Sequence, residues 1–390
     1  MKYLRLSDCS DYSSERTSNI TFENYISTEN MLPNKGGVTV ASSLPDVKST
    51  SAYKKDDILL SNIRPYFCKI WLADKEGSCS NDVLVVRAKK GFDSKFLYYV
   101  LSDKNFFNWD TVTSKGTKMP RGTPKAIMKY FVPNVDLPTQ QKIAGILSKY
   151  DEAIENNNKR IKLLEQMAQN LYKEWFVRFR FPGWQNAEFE NGIPKGWKVE
   201  KLEDFCFITD GTHDTPKQVE EGVPLVTGKA VIDRAIDFSV PYNISFEDHE
   251  KIKRRSGLET GDILFSNIGT VGNCCLVDYD REFSVKNMII LKPQSEVKSQ
   301  YLFQLLINDT MQNLFKNQTN GSSQQFIGLD FMRKFKILIP SEEVLKLFAK
   351  FEIKCTKLIV KLRQQTQNLS RQRDLLLPRL MSGKLQVFRK

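Results

Sequence analysis

The fold of this chain is decided by the stretch Thr139–Trp175, which reads TQQKIAGILSKYDEAIENNNKRIKLLEQMAQNLYKEW. Apolar residues recur along it in alternating steps of four and three, with one polar gap at Asn157. Such a heptad repeat is typical of a helix that packs lengthwise against another helix. The apolar positions are Ile143, Leu147, Tyr150, Ile154, Ile161, Leu164, Ala168, Leu171 and Trp175.

A second stretch near the C-terminus repeats this rhythm, with polar gaps at Gln365 and Gln372. Pro138-Thr139 precedes the first helix and Pro340-Ser341 the second, and a Thr or Ser there can accept a hydrogen bond from the first helical turn. The apolar stripe is narrow, which favours an antiparallel coiled coil over two ordinary buried helices of a bundle. The second set of apolar positions is Val344, Phe348, Phe351, Cys355, Leu358, Leu362, Leu369 and Leu376.

The sequence also contains an internal repeat with an offset of about 205 residues. Asp57–Ile63 reads DILLSNI, and Asp262–Ile268 reads DILFSNI. The match continues through an apolar strand, an amphipathic helix, a glycine-containing loop and the last strand before each long helix. These matching segments are Val83–Val86 with Met288–Leu291, Phe96–Leu101 with Tyr301–Leu306, Gly116-Thr117 with Gly321-Ser322, and Tyr130–Val132 with Phe335–Ile337.

The repeat predicts a mixed α+β fold with two tandem globular domains, separated by two long helices that form an antiparallel coiled coil with pseudo-two-fold symmetry. Alternating polarity after each long helix predicts a short strand, at Val177–Phe181 and at Leu385–Phe388. We therefore predict four segments: a globular domain at 1–137, a long helix with its short strand at 138–181, a second globular domain at 182–340, and a second long helix with its short strand at 341–390.

The formal net charge is +12 and the pI is near 9.2, which indicates a polyanionic partner. The charge is about +5 for 1–137, about +3 for 138–181, about −4 for 182–340 and about +8 for 341–390. No apolar run is long enough to cross a bilayer, and the N-terminus lacks an apolar signal region, so we expect a cytoplasmic protein without membrane contact. Scattered cysteines without a CxxC pair predict reduced thiols.

Catalytic motifs are not evident in the sequence. It lacks GxxxxGK[ST], a GxGxxG after a strand, and the Asn-Pro-Pro-aromatic tetrapeptide expected of a base-flipping methyltransferase. Pro45-Asp46 and Glu352-Ile353-Lys354 match the letters of a metal-nuclease motif, but they fall in a predicted loop and on a long helix. Asp210–His213 fits a turn at a strand end better than a catalytic fragment. We predict neither catalytic residues nor a metal site.

Two equivalent loops carry the binding chemistry. Ser114–Lys125 places four cations among glycines and hydroxyl residues, which suits contact with phosphates. Its counterpart Asn317–Gln325 is rich in amides, which can pair with adenine, whereas Arg and Lys pair with guanine. Either loop alone could be a solvated loop, but the repeated position with changed chemistry favours two readers of different DNA sequences. The candidate DNA-binding residues are Ser61, Asn62, Arg64, Lys115, Thr117, Lys118, Arg121, Lys125, Thr212, His213, Lys217, Lys229, Ser266, Asn267, Asn320, Ser322, Gln324 and Gln325.

Along its whole length the chain resembles the specificity (S) subunit of type I restriction-modification systems. The resemblance rests on the two globular units, each followed by a long helix, and on four local segments. These segments are Leu137–Asp151, Asp262–Ser266, Gly196-Trp197 and Leu375–Leu385.

This resemblance implies a non-catalytic subunit whose two globular units are target recognition domains, each reading one half of a bipartite site on double-stranded DNA. The coiled coil would set the spacing of the halves and dock two methyltransferase (M) subunits, and restriction (R) subunits would join the complex. The chain itself would hold no cofactor, since S-adenosylmethionine, ATP and Mg²⁺ would belong to the partner subunits. The acidic second domain departs from this pattern, so other parts of the complex would supply phosphate contacts there.

Two apolar segments are candidates for contact with partner subunits, and packing within the chain is the alternative for each. The residues are Trp175, Phe176 and Phe179 after the first helix, and Pro378, Arg379 and Leu380 near the end of the second. Two other functions remain open on the sequence: a self-contained DNA endonuclease or fused restriction-enzyme half, and a coiled-coil adaptor without a nucleic-acid role.

Overall fold

The computed structural model describes residues 2–319 and 326–385. The chain forms two compact units: unit 1 comprises Met1–Asn157 with Gln365–Lys390, and unit 2 comprises Asn158–Gln364. The division falls inside the two long helices. Ile143 and Leu147 pack in a core of unit 1, whereas Tyr172 packs in a core of unit 2.

Unit 1 is built on two four-stranded sheets and one two-stranded sheet. The strand orders are β2-β9-β6-β7, β3-β5-β8-β4 and β1-β10, and every pairing is antiparallel except β4 with β8. The strands are β1 (Tyr3–Arg5), β2 (Ser10–Tyr12), β3 (Arg16–Thr17), β4 (Tyr25–Ile26), β5 (Thr50–Tyr53), β6 (Ile58–Ser61), β7 (Ile70–Leu72), β8 (Gly77–Cys79), β9 (Val83–Ala88) and β10 (Phe131–Pro133). The helices are α1 (Leu6–Cys9), α2 (Ser94–Leu101), α3 (Lys104–Thr113), α4 (Pro124–Ile127) and the long α5 (Leu137–Tyr172), with a 3₁₀ turn at Pro65–Phe67.

Unit 2 repeats this plan and adds two small hairpins. Its sheets have the orders β14-β22-β19-β20, β18-β15-β21, β13-β23, β11-β12 and β16-β17. The strands are β11 (Phe189–Glu190), β12 (Ile193–Pro194), β13 (Lys198–Lys201), β14 (Phe207–Asp210), β15 (Val223–Val226), β16 (Val231–Ile232), β17 (Ala235–Ile236), β18 (Tyr242–Ile244), β19 (Ile263–Phe265), β20 (Cys274–Leu276), β21 (Ser284–Val285), β22 (Ile289–Lys292) and β23 (Lys336–Ile339). The helices are α6 (Leu202–Phe205), α7 (Phe246–Ser256), α8 (Glu296–Ile307), α9 (Asp309–Thr319), α10 (Leu329–Lys334) and the long α11 (Glu342–Met381).

The internal repeat is confirmed down to the strand register. Leu59 pairs with Val85 in unit 1, and Leu264 pairs with Ile290 in unit 2 at the same offset. A buried acid–base pair repeats as well. Arg87 Nη2 lies 2.7 Å from Asp57 Oδ2, and Lys292 Nζ lies 2.5 Å from Asp262 Oδ2. The two units therefore share one framework, on which their loops differ.

The long helices pair within each unit. In unit 1, Arg373 Nη1 on α11 lies 2.5 Å from Asp151 Oδ1 on α5. In unit 2, Arg363 Nη2 lies 2.9 Å from Glu165 Oε1. The partners follow opposite orders along α5 and α11, as an antiparallel pair requires. Of the described helices, none has the length and apolar content needed to span a bilayer.

The predicted seam is correct along α5, but part of it is wrong along α11. Leu358 is 36% exposed, and Gln365 and Gln372 point to solvent. The positions one residue later turn inward instead: the Thr366 hydroxyl is buried and Arg373 reaches Asp151. Arg373 shows that a polar side chain with a partner can occupy a seam position that a sequence rule reserves for apolar residues, whereas the Thr366 hydroxyl has no hydrogen-bond partner among the described residues.

Two local expectations are also wrong. Asp136, not Thr139, caps α5, because its Oδ1 accepts a hydrogen bond from the Thr139 N–H at 3.1 Å. The strand expected at Val177–Phe181 is absent, since a π-helical turn at Lys173–Val177 extends the helix and Phe179 then adopts a positive φ of 57°. In the second expected strand, residues 386–388 lie outside the described part of the chain.

Candidate nucleic-acid interface

In unit 1, the chain after β6 and the basic loop come together. Two backbone hydrogen bonds of 2.9 and 2.8 Å between Lys115 and Arg121 close the loop. Arg121 also bridges to Ile63, and the Arg64 N–H donates to the Pro120 carbonyl at 2.8 Å. The structure thus joins candidate residues that lie far apart in the sequence.

The cations of this loop face solvent. Lys115, Lys118 and Arg121 are exposed, and so are Thr117 and Lys125. Arg121 Nη1 lies 2.8 Å from Asp82 Oδ1, so a neighbouring carboxylate compensates part of its charge. The surface can therefore contact phosphates through its lysines while Arg121 is held in a defined direction.

Unit 2 builds the same junction with different residues. Ile268 bridges to Phe326 as Ile63 bridges to Arg121. The Ile327 N–H donates to the Asn267 carbonyl at 3.0 Å, which repeats the bond from Gly122 to Asn62. The candidates Asn320, Ser322, Gln324 and Gln325 lie outside the described residues, and their role stays a prediction.

His213 is held between two oxygen acceptors. Its Nδ1 lies 2.9 Å from Asn287 Oδ1, and its Nε2 lies 2.7 Å from Asp210 Oδ2. The hydrogen bonds to Asn287 and then Asp210 raise the pKa of the His213 imidazole. Because both acceptors favour an N–H, the ring is suited to carry positive charge within the net-acidic segment 182–340.

Two of the candidate serines are structural. Ser61 Oγ donates to the Ile63 carbonyl at 3.1 Å, and Ser266 Oγ donates to the Ile268 carbonyl at 3.4 Å. Both serines are buried, so their hydroxyls hold the turn after the strand and do not face solvent.

The other unit 2 candidates differ in exposure. Lys229 is exposed on a 3₁₀ turn, Gly228–Ala230, and Lys217 is exposed between β14 and β15. Thr212 is buried, and its backbone bridges to Lys286 beside the His213 site.

Sequence reasoning missed one position that differs between the units. Asp82 precedes β9 and binds Arg121, while Asn287 stands at the equivalent position before β22 and binds His213. The repeat offset could have identified this pair, because it aligns an acid with an amide at the same turn.

An aromatic pair was missed as well. Tyr66 and Phe67 are 50% and 38% exposed, and their ring centroids lie 4.8 Å apart. Arg64 and Cys68, on either side, both have left-handed backbone conformations with φ near 50°. Such strain in non-glycine residues concentrates at functional sites, so this turn is a candidate part of the same surface.

The candidate partner-binding residues pack largely inside the units. Phe176 is buried in a core of unit 2, and Trp175 and Phe179 pack against that core. Leu380 is buried in a core of unit 1, whereas Pro378 and Arg379 are exposed. The arrangement favours the intramolecular alternative for the aromatic residues and Leu380.

No group of three or more His, Cys, Asp or Glu residues in the described ranges 2–319 and 326–385 is arranged to hold a metal ion. The cysteines are free thiols, and burial raises the pKa of most of them, Cys206 to about 12 for example. Glu352 belongs to the segment Glu352-Ile353-Lys354, which matches the residues of a metal-nuclease motif. It is buried and accepts a hydrogen bond from Gln304 at 2.9 Å.

Comparison with known proteins relates this architecture to one family. The model of the type I restriction modification DNA specificity domain matches twice, at residues 8–166 and 194–368. The MjaIX specificity subunit of Methanocaldococcus jannaschii is 25% identical over 309 residues, 77% of this chain and 71% of that protein. The HindI specificity subunit of Haemophilus influenzae is 23% identical over 440 residues, 93% of this chain and 94% of that protein.

A solved structure agrees with the fold. The S subunit of a type I restriction-modification system from M. genitalium aligns with a TM-score of 0.58 and 16% identity, covering 97% of this chain and 96% of that one. The repeated framework, the two family matches and this shared fold agree. The chain belongs to the type I restriction-modification DNA specificity family and carries two domains of that family in tandem.

Proposed function

We propose that this chain is the DNA-specificity subunit of a type I restriction-modification complex and has no catalytic activity of its own. Each globular domain reads one half of a bipartite site on double-stranded DNA. The observation that carries this proposal is the pair of equivalent junctions, which keep one backbone framework and exchange the exposed chemistry. In unit 1 the junction carries Arg121, which is bound to Asp82. In unit 2 it carries Phe326, together with His213 bound to Asn287.

Partner subunits complete this function. Two methyltransferase subunits dock on the helical parts and supply S-adenosylmethionine chemistry, and restriction subunits bring ATP and Mg²⁺. The paired long helices support a spacer role, because ion pairs such as Arg373 with Asp151 fix how α5 and α11 align. The complex is expected to work in the cytoplasm.

The test is methylation profiling of DNA from a methylation-free host that expresses this chain with its methyltransferase. A bipartite methylated sequence is expected. Exchange of residues 1–137 for the corresponding part of another specificity subunit should change one half of that sequence only. Methylation without sequence preference, or a change in both halves, would overturn the proposal.

Lys118 offers a finer test because it is an exposed cation in the closed loop of unit 1. Lys118→Ala should weaken DNA binding by the complex. It should also reduce the slope of log K against log[salt] by about one, because one phosphate contact is lost. Lys90→Ala is the matched control. Lys90 is also exposed, but it follows the end of β9, whereas Asp82, which binds Arg121 of the basic loop, precedes the start of that strand. For the endonuclease alternative, the purified chain with Mg²⁺ and mixed duplex DNA should leave the DNA uncut.

A further inference from the structure

A carboxyl group without a partner lies behind the basic loop of unit 1. Asp110 on α3 is 0% exposed, and neither of its carboxyl oxygens has a hydrogen-bond partner among the described residues. Burial raises the pKa of Asp110 to about 7. An isolated buried carboxylate destabilises the folded state, so its presence at this place needs an explanation, and a functional role is one.

The Asn62 side chain shares this space, and Gly122 lies between the two groups. A Cβ on Gly122 would lie 2.5 Å from Asp110 Oδ1 and 2.9 Å from Asn62 Oδ1, so both oxygens border the space that this Cβ would fill. Asn62 Oδ1 is likewise buried without a partner. Two acceptor oxygens that border one space can form a hydrogen bond when one of them carries a proton to share.

In unit 2 the same framework has no carboxyl group at the equivalent position. At the repeat offset, Asp110 corresponds to Phe315 and Gly122 to Ile327, and both are buried apolar residues. Asn267, the counterpart of Asn62, is buried, and its Nδ2 donates to the Ile327 carbonyl at 3.2 Å, while its Oδ1, like that of Asn62, has no hydrogen-bond partner among the described residues. That amide is therefore bound to its own domain.

Asn62 is in a different situation. It is only half-buried, and in the described part of the chain its side chain donates no hydrogen bond comparable to that of Asn267. Its backbone is nonetheless fixed, since its N–H donates to the Asp82 carbonyl at 2.8 Å and its carbonyl accepts from Gly122. The amide can thus be directed outward if something holds its oxygen.

We infer that protonated Asp110 is a positioning residue for Asn62: its O–H donates to Asn62 Oδ1 and turns the Asn62 NH₂ group toward a base edge of the half-site that unit 1 reads. Asp110 itself does not touch DNA. An NH₂ donor at this place selects a base-edge acceptor, such as purine N7 or thymine O4. This inference rests on the proposed function of unit 1 as a DNA reader.

The test compares two substitutions in the complex with the methyltransferase, read out by methylation profiling. Asp110→Leu places an apolar side chain where unit 2 has Phe315. The variant should fold with equal or higher stability, because it removes an unpaired buried carboxyl. It should nonetheless lower base preference at one position of the unit 1 half-site by about tenfold. Asp110→Asn keeps an N–H donor toward Asn62 Oδ1 and should preserve the wild-type preference.

The half-site read by unit 2 is the internal control and should stay unchanged in both variants. An unchanged unit 1 half-site in Asp110→Leu would overturn the inference, and so would equal relaxation in Asp110→Asn. These failures differ from failure of the proposed function, which would show as the absence of a bipartite methylated sequence already in the wild-type complex.

Discussion

The N–H of Gly122 donates to the carbonyl of Asn62 at 3.0 Å, and this bond ties the basic loop of unit 1 to the end of strand β6. The missing side chain of Gly122 leaves the space into which the Asp110 carboxyl reaches. Backbone connection and side-chain placement therefore depend on the same residue.

Gly122→Ala is expected to lower the free energy of unfolding by about 1–3 kcal/mol, because the new methyl group would overlap Asp110 Oδ1. Gly145→Ala on α5 is the matched control, since nothing lies within 4 Å of its Cβ position. That change should raise stability by about 0.5–1 kcal/mol through helix propensity. Urea unfolding of both variants measures the difference, and equal effects would contradict the steric argument.

The burial of Glu352 should make the free energy of unfolding depend on pH. Burial raises its pKa from 4.5 to about 7, so between these values the folded state binds a proton that the unfolded state has lost. The free energy of unfolding should therefore fall as pH rises from 5 to 8, by an amount of order 3 kcal/mol for this group. Asp110 acts in the same direction.

Glu352→Gln should flatten this slope in urea unfolding measured at several pH values. Glu282→Gln is the control, because Glu282 is exposed and its hydrogen bond with Lys253 lowers its pKa, which places its titration below this pH range. A slope that persists unchanged in Glu352→Gln would show that other groups cause it.

The ion pair between Arg373 and Asp151 should contribute to the stability of unit 1. Arg373→Met removes the guanidinium from a largely buried site and leaves Asp151 with only the hydroxyl of Tyr99 as a donor among the described contacts. A loss of about 1–3 kcal/mol is expected. Lys346→Met breaks an exposed pair with Glu342 on the same helix and should have no measurable effect.

The aromatic pair of unit 1 should contribute to DNA affinity. The double change of Tyr66→Ala and Phe67→Ala is expected to weaken binding of the complex to its duplex site about tenfold or more, since burying an exposed aromatic side chain at an interface contributes about 1.5–3 kcal/mol. Val112→Ala removes another exposed apolar side chain of unit 1 and is the control. Fluorescence anisotropy at fixed salt measures both. Equal affinities of the double variant and the control would exclude the pair from the interface.

The long helices, the repeat and the candidate basic loop could be predicted from the sequence, because each depends on local spacing or on direct identity between two segments. The DILLSNI and DILFSNI segments, for example, mark equivalent strands whose pairing register is the same in both units. The inward positions of α11 were harder to predict, since Arg373 lies in the seam only because Asp151 on another helix binds it.

Two properties follow from the amino-acid order alone: two copies of one framework carry different loops, and the chain is strongly basic. Which residues of the framework act together depends on how the chain folds. Asp110, Asn62 and Gly122 lie on a helix, after a strand and in a loop, and no periodic pattern connects them. Their meeting depends on the packing of α3 against the 3₁₀ turn that follows β6, because burial, and the space that the glycine leaves between its neighbours, exist only after the chain has folded.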